Sequence, residues 1–167
     1  SSGWGGRILG AMSSLKRIHY IGTDPNTDNF IDELGITRYE YVADFFNNKA
    51  LETNSFWEEE QNTFHIFQEG SEHIGNHPDF QRYKGKLDMV FTSPPYFDRE
   101  QYSTDEEQSY KAYPQYDDWR DNFLKPTLTN AYESLRNDRY LLWNIADIKI
   151  GTDKYHPLEQ DSIDIVE

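Results

Sequence analysis

Hydrophobic positions along this chain fall into short blocks whose period switches between that of helices and that of strands. Ile8, Leu9, Met12 and Leu15 recur at helical spacing directly behind a run of glycines, which predicts a helix over residues 8–15. Ile18 to Ile21 reads as a short strand that ends before Thr23-Asp24-Pro25-Asn26. Residues 29–34 and 39–51 mix aromatic and aliphatic positions and read as helix and loop, the second carrying Phe45 and Phe46 beside Asn47-Asn48. Thr63 to Phe67 alternates and stops at Glu69-Gly70 as a third strand, residues 79–83 fit a helical turn, and Leu87 to Thr92 forms a fourth strand. The segment from Phe97 to Tyr116 is polar but rich in tyrosine. A long loop of that kind is either a functional lid or a surface segment whose rings cover a sheet edge. Asp118 is placed to N-cap a helix that runs to about Asn137, with Leu124, Leu128, Ala131 and Leu135 on one face and Pro126 in its first turn. Tyr140 to Ile145 is then a buried fifth strand, and Ser162 to Glu167 begins another helix.

Strands alternating with helices imply an α/β domain with a parallel sheet, and 167 residues are enough for one domain, 1–167, with a real core. Ligands of open α/β sheets gather beyond the carboxyl ends of the strands. Three features belong to such places. Gly3-Trp4-Gly5-Gly6-Arg7 precedes the first helix, Asp24 follows the first visible strand, and Ser93-Pro94-Pro95-Tyr96 follows the fourth. Glycines allow close backbone approach, and an acid about 20 residues further on takes ribose hydroxyls, the two parts of a nucleotide-binding βαβ unit. The tetrapeptide points to different chemistry. Each proline fixes its φ and removes an N–H, while the carbonyls remain acceptors. A planar base or amide can stack on the Tyr96 ring while its NH₂ donates to the Ser93 side chain and the Pro94 carbonyl. Such contacts aim the lone pair of a conjugated, weakly nucleophilic nitrogen, which suits group transfer to an amino nitrogen. A diproline turn ending in an aromatic also closes strands in unrelated folds.

With these motifs in this order, the chain resembles the class I S-adenosylmethionine-dependent DNA amino-methyltransferases of the N6-adenine and N4-cytosine type, from residue 1 to about residue 147. The resemblance implies a Rossmann-like three-layer sandwich and S-adenosyl-L-methionine as cofactor. It implies catalytic roles for Ser93, Pro94, Pro95 and Tyr96, and cofactor contacts from Gly3, Trp4, Gly5, Gly6 and Asp24. In that family an acid beyond the third strand contacts the adenine ring, and Ser71 and Glu72 are the residues of this chain nearest that place. The implied activity is methyl transfer to the exocyclic amino nitrogen of a DNA base that has been flipped out of the duplex. The family's glycine loop follows a buried strand, whereas this chain opens at Ser1-Ser2. The expected fold is therefore incomplete at its N-terminus: either the chain is a fragment or the first strand comes from elsewhere. No segment reads as a separate target-recognition domain.

Charge opposes part of this picture. The formal net charge is −14, with acidic runs at Glu58-Glu59-Glu60, Asp105-Glu106-Glu107 and Asp117-Asp118, whereas phosphate contacts require a basic surface. Arg99, Lys111 and Arg120 are the cations near the catalytic motif able to touch phosphates. Methylation of a protein side-chain amide, or of an RNA base, uses the same pocket logic, and the amide suits an acidic surface better. A nicotinamide-dependent oxidoreductase would also use the glycine loop and Asp24, but its fingerprint wants a third glycine where Ile8 stands. A fragment that binds a partner without catalysis is the remaining reading. The absence of cysteine rules out disulfides and cysteine-ligated zinc and fits a reducing compartment. His73 and His77 have helical ligand spacing, but Gly75 and Pro78 break the helix they need, so no metal is expected. No run has the length of a membrane span and none reads as a signal peptide, which makes the cytoplasm the expected location.

Overall fold

The structure is a computed structural model and describes residues 5–14, 16–25, 29–53, 61–100, 106 and 108–167. The architecture is α/β, and the chain divides into two compact units, Ser1–Glu69 and Gly70–Glu167. Among the described residues the strands pair two by two, in two parallel and two antiparallel sheets.

In the first unit, helix α1 (Gly6–Met12) buries Ile8 and Met12, one turn apart, against Tyr39 and Ala43 of helix α2 (Arg38–Thr53). Strand β1 (His19–Thr23) pairs in parallel with β4 (Thr63–Phe67), from His19 opposite Thr63 to Thr23 opposite Phe67. The helix expected over residues 29–34 is instead an antiparallel hairpin of β2 (Phe30–Ile31) and β3 (Ile36–Thr37). Its turn needs a left-handed residue, which Gly35 supplies at φ 67 while its N–H donates to the Ile31 carbonyl over 2.9 Å. The helix begins only after it. Thr37 and Glu40 form a reciprocal capping box: the Glu40 N–H donates to the Thr37 hydroxyl and the Thr37 N–H to the Glu40 carboxylate. Asn62 is buried and fully used, its amide donating to the Met12 carbonyl, its side-chain oxygen accepting from the Ile18 N–H and its backbone carbonyl accepting from Asn47.

In the second unit, β5 (Leu87–Thr92) runs parallel to β6 (Leu135–Trp143). Strand β6 starts earlier than its apolar run suggests, because the register jumps from Leu87 opposite Leu135 to Met89 opposite Tyr140. Residues 136–139 form the irregular stretch, with Asp138 left-handed at φ 59. Helix α3 (Pro78–Gln81) precedes β5, and the connection from β5 to β6 carries α4 (Ser109–Ala112), α5 (Tyr116–Trp119), a π-helical turn (Arg120–Leu124) and α6 (Lys125–Ser134). Pro126 does stand in the first turn of α6, yet the helical path already begins at Tyr116, so Asp118 lies inside α5 and does not cap it. Proline has no N–H for the carbonyl four residues back and its ring crowds that turn, which is where the wider π turn appears. A hairpin of β7 (Ile148–Lys149) and β8 (Tyr155–His156) precedes α7 (Leu158–Val166), which starts before the expected Ser162. Phe97, Trp119, Phe123, Leu124, Ile148 and Leu158 make the buried centre of this unit. No described helix is long and apolar enough to cross a membrane.

Two neighbours on α6 test these burial assignments. Leu128 is 1% exposed and Tyr132 58% exposed. Leu128→Ala is expected to remove about 2–5 kcal/mol of stability by opening a cavity, and Tyr132→Ala less than about 0.5 kcal/mol. Urea unfolding followed by circular dichroism measures both, and equal losses would contradict the assignment.

Candidate functional site

The cofactor candidates of the first unit meet around one aromatic ring. Gly3 and Trp4 lie outside the described residues. Gly5 caps α1 at φ 84, a conformation that glycine adopts without penalty, and Gly6 is the first residue of the helix. Asp24 stands just beyond β1, where its N–H donates to the Phe67 carbonyl over 3.0 Å and extends the ladder by one bond. Its carboxylate accepts the Tyr39 hydroxyl proton over 2.6 Å, and the Tyr39 oxygen accepts from the Asn29 amide over 3.1 Å. The same ring passes beneath the glycine turn, 3.9 Å from where a Gly5 Cβ would stand. Tyr39 therefore touches both halves of the expected nucleotide site. Burial first, and the Asp24 hydrogen bond second, push its phenol far above the ordinary tyrosine range, so it stays a donor at any working pH. Neither Tyr39 nor Asn29 stood out in the sequence; the usable signal was Thr37-x-x-Glu40, which starts a helix with Tyr39 in its first turn.

The diproline corner belongs to the second unit. The Thr92 carbonyl accepts from the Asn144 N–H over 2.9 Å, so the β5–β6 ladder holds up to the point where the chain turns. Pro94 is buried, whereas Ser93, Pro95 and Tyr96 are half-buried. The Ser93 hydroxyl has no hydrogen bond to another described residue. Past the corner, the Phe97 N–H donates back to the Pro95 carbonyl over 3.1 Å and the Arg99 N–H to the Tyr96 carbonyl over 2.9 Å. This tight reversal forces Phe97 to φ 45, a left-handed conformation that costs a bulky residue about 1–3 kcal/mol. Burial offsets the strain. The Phe97 ring is 7% exposed and lies 5.6, 5.7 and 5.5 Å from the rings of Tyr116, Trp119 and His156. Tyr96, half-buried, packs against the same cluster as Phe97, and its hydroxyl donates to the Asn144 carbonyl over 3.1 Å. Nothing in the sequence marked Phe97, because a left-handed phenylalanine has no signature of its own.

Behind the corner, Thr92 and Trp143 are paired in register at the ends of β5 and β6. The Thr92 hydroxyl oxygen and the Trp143 indole nitrogen are both buried without a hydrogen-bond partner among the described residues. Each such group costs about 1–3 kcal/mol and calls for an explanation, such as a catalytic role, a water or an ion.

Ser71 and Glu72 lie in the same unit as the corner, ahead of a 3₁₀ turn at Ile74–Asn76. The Ser71 hydroxyl is 3.1 Å from that of Thr127, and the Asn130 amide donates to the Ser71 carbonyl over 3.0 Å. The Glu72 side chain is only 5% exposed and its carboxylate lies 3.6 Å from the His73 imidazole. After burial, its charge is the next cause that raises the Tyr113 phenol. His77 caps α3, its Nδ1 accepting from the Asp79 N–H over 3.2 Å.

Two tyrosines of the segment read as either a lid or a surface cover, Tyr113 and Tyr116, pack on the hydrophobic cluster, and Tyr102 lies outside the described residues. Tyr116 stacks on His156 at 3.9 Å and donates to Asp161 over 2.5 Å. Each cation near the motif has an internal partner. Arg99 donates to the Lys149 carbonyl over 2.6 Å, Lys111 meets Glu106 at 3.1 Å, and Arg120 meets Asp121 at 2.8 Å and Asp117 at 3.4 Å. Compared with known proteins, the chain matches no family model, no curated protein and no solved structure.

Burial, followed by the hydrogen bond to Asp161, also raises the Tyr116 phenol far above its ordinary value, as it does for Tyr39 beside Asp24. Unfolded tyrosine titrates at about 10, so the stability these protons confer is complete below that pH. Above it the unfolded chain ionises while the folded chain holds its protons, and that stability is lost as the pH climbs toward the folded values. Urea midpoints measured from pH 8 to about 11 are expected to fall at the alkaline end, and to fall less steeply in a Tyr39→Phe, Tyr116→Phe double variant. The same slope in both proteins would contradict the assignment.

Proposed function

We propose that the chain is an S-adenosyl-L-methionine-dependent amino-methyltransferase with a Rossmann-like class I fold, cytoplasmic, acting on the exocyclic amino nitrogen of cytosine N4 or adenine N6 in DNA. The observation that carries the reading is the Ser93-Pro94-Pro95-Tyr96 corner at the carboxyl end of a parallel strand, with the Ser93 hydroxyl uncommitted among the described residues. Two further features support it. The Tyr96 ring is held by the Asn144 carbonyl and by packing against the buried cluster that contains Phe97. Two buried polar atoms, of Thr92 and Trp143, stand directly behind.

In this reading Gly5, Gly6 and Asp24 hold the cofactor, which supplies a methyl group on a sulfonium when bound. Glycine at φ 84 suits close approach of a ligand to the backbone, and the Asp24 carboxylate suits ribose hydroxyls. Ser93 and the Pro94 carbonyl accept from the target NH₂, favour a more tetrahedral nitrogen and aim its lone pair, while Tyr96 stacks on the ring. The nitrogen needs no strong base, because its proton becomes acidic once it carries the methyl group and is lost to water.

The charge supports a second reading, in which the amino group is a glutamine or asparagine amide of a protein partner. The net charge is −14, and Arg99, Lys111 and Arg120 each have an internal partner with which a phosphate has to compete. An RNA base is disfavoured on the same ground. The oxidoreductase reading loses support at Ile8, which takes the place of the third glycine and is 0% exposed in the core of its unit.

Calorimetry with S-adenosyl-L-methionine, S-adenosylhomocysteine and NAD separates the classes. The first two are expected to bind and NAD not to. Asp24→Ala is expected to weaken cofactor binding by about ten-fold or more, the worth of hydrogen bonds to a charged group. Tyr96→Ala should abolish transfer and leave that affinity within about two-fold. Equal loss of cofactor affinity in both variants would overturn these roles. Mass analysis of DNA and of protein incubated with the enzyme identifies which carries the methyl group.

A further inference from the structure

We infer that Tyr39 is a positioning residue of the cofactor site: its hydroxyl holds the Asp24 carboxylate in the orientation that grips a vicinal diol, so that ligands carrying both ribose hydroxyls are selected. The inference rests on the reading of Asp24 as the ribose-binding acid.

Three observations place Tyr39 in this role. Its ring cannot swing away, because it is 6% exposed and packed with Ile8, Met12 and Ala43. Its backbone is fixed as well, lying in the first turn of a helix started by the Thr37–Glu40 box. The direction of its proton is also set. The Asn29 amide nitrogen can only donate and an ionised carboxylate can only accept, so the chain runs from Asn29 through Tyr39 to Asp24. A carboxylate held by such a donor keeps one plane, and a diol that must bond it with two hydroxyls is sensitive to that plane. The contact of the same ring with the Gly5 turn couples the position of the carboxylate to that of the backbone a ligand would approach. One side chain sets the spacing of both contacts.

Tyr39→Phe removes a single hydroxyl and keeps the ring beneath Gly5. Calorimetry on the full chain compares S-adenosylhomocysteine with its 2′,3′-dideoxy analogue, with thermal unfolding as the check on folding. Tyr39→Phe is expected to weaken the first by about five- to ten-fold and to leave the second unchanged, as loss of one oriented hydrogen bond implies. In an Asp24→Asn background the same change should add nothing, since Tyr39 acts through that carboxylate. Asn29→Ser, which spares the packed ring, should show the same dependence on the diol with a smaller loss. An equal loss for both ligands, no loss for either, or a fully additive loss in the Asp24→Asn background would assign Tyr39 a packing role and overturn the inference, leaving the cofactor reading intact. A wild-type chain that binds neither ligand would overturn the cofactor reading and this inference with it.

Discussion

Parallel strands cannot be joined by a tight turn, and each unit of this protein is organised by that constraint. The chain must leave the carboxyl end of one strand, travel back over one face and re-enter alongside, so a helix has to be packed between every parallel pair. Between β1 and β4 that helix is α2, and between β5 and β6 it is the path that ends in α6. The carboxyl ends are left open by the same geometry. Asp24 follows β1 and Ser93 follows β5, each where a ladder bond, from Asp24 to Phe67 and from Asn144 to Thr92, holds the strand to its last residue. Asp24 and Ser93 thus follow strand ends that a backbone hydrogen bond holds in place.

Rings do much of the holding. Aromatic residues make up 16% of the chain while hydrophobic residues total only 36%, so a few large side chains must bury what many aliphatic ones otherwise would. Tyr39 and Phe97 show the two ways this reaches a site. Tyr39 spends its ring on the core and its hydroxyl on Asp24. Phe97 spends its ring on keeping a strained backbone in place beside Tyr96, which packs on the same cluster. In both cases the residue next to the candidate chemistry, not the candidate itself, sets the geometry. The π turn before Pro126 has a similar logic: it widens the helix where the proline would crowd it, and Phe123 and Leu124 within it face the core.

Strands β4 and β5 were legible from residue patterns alone, because apolar runs bounded by polar turns have few alternatives at that length. The hairpin at 30–37 was not, since four strand residues are too few to show a period, and the decisive element was the left-handed Gly35. The start of α2 was written in Thr37 and Glu40, yet a capping box is recognisable only once the preceding residues are known to be extended. The early start of β6 had no local signal at all; it depends on the partner strand resuming register after Asp138.

By itself, the sequence determined the alternation of helix and strand, the stiffness of the Ser93–Tyr96 corner and the excess of negative charge, because each follows from bonds, side-chain period or composition that hold in any fold. Tertiary structure alone decided that Tyr39 reaches Asp24, that Arg99, Lys111 and Arg120 have internal partners, and that Phe97 accepts a left-handed backbone. Those outcomes turn on which distant groups are buried together, since a hydrogen bond or a strained dihedral persists only where the surrounding packing is worth more than the alternatives it excludes.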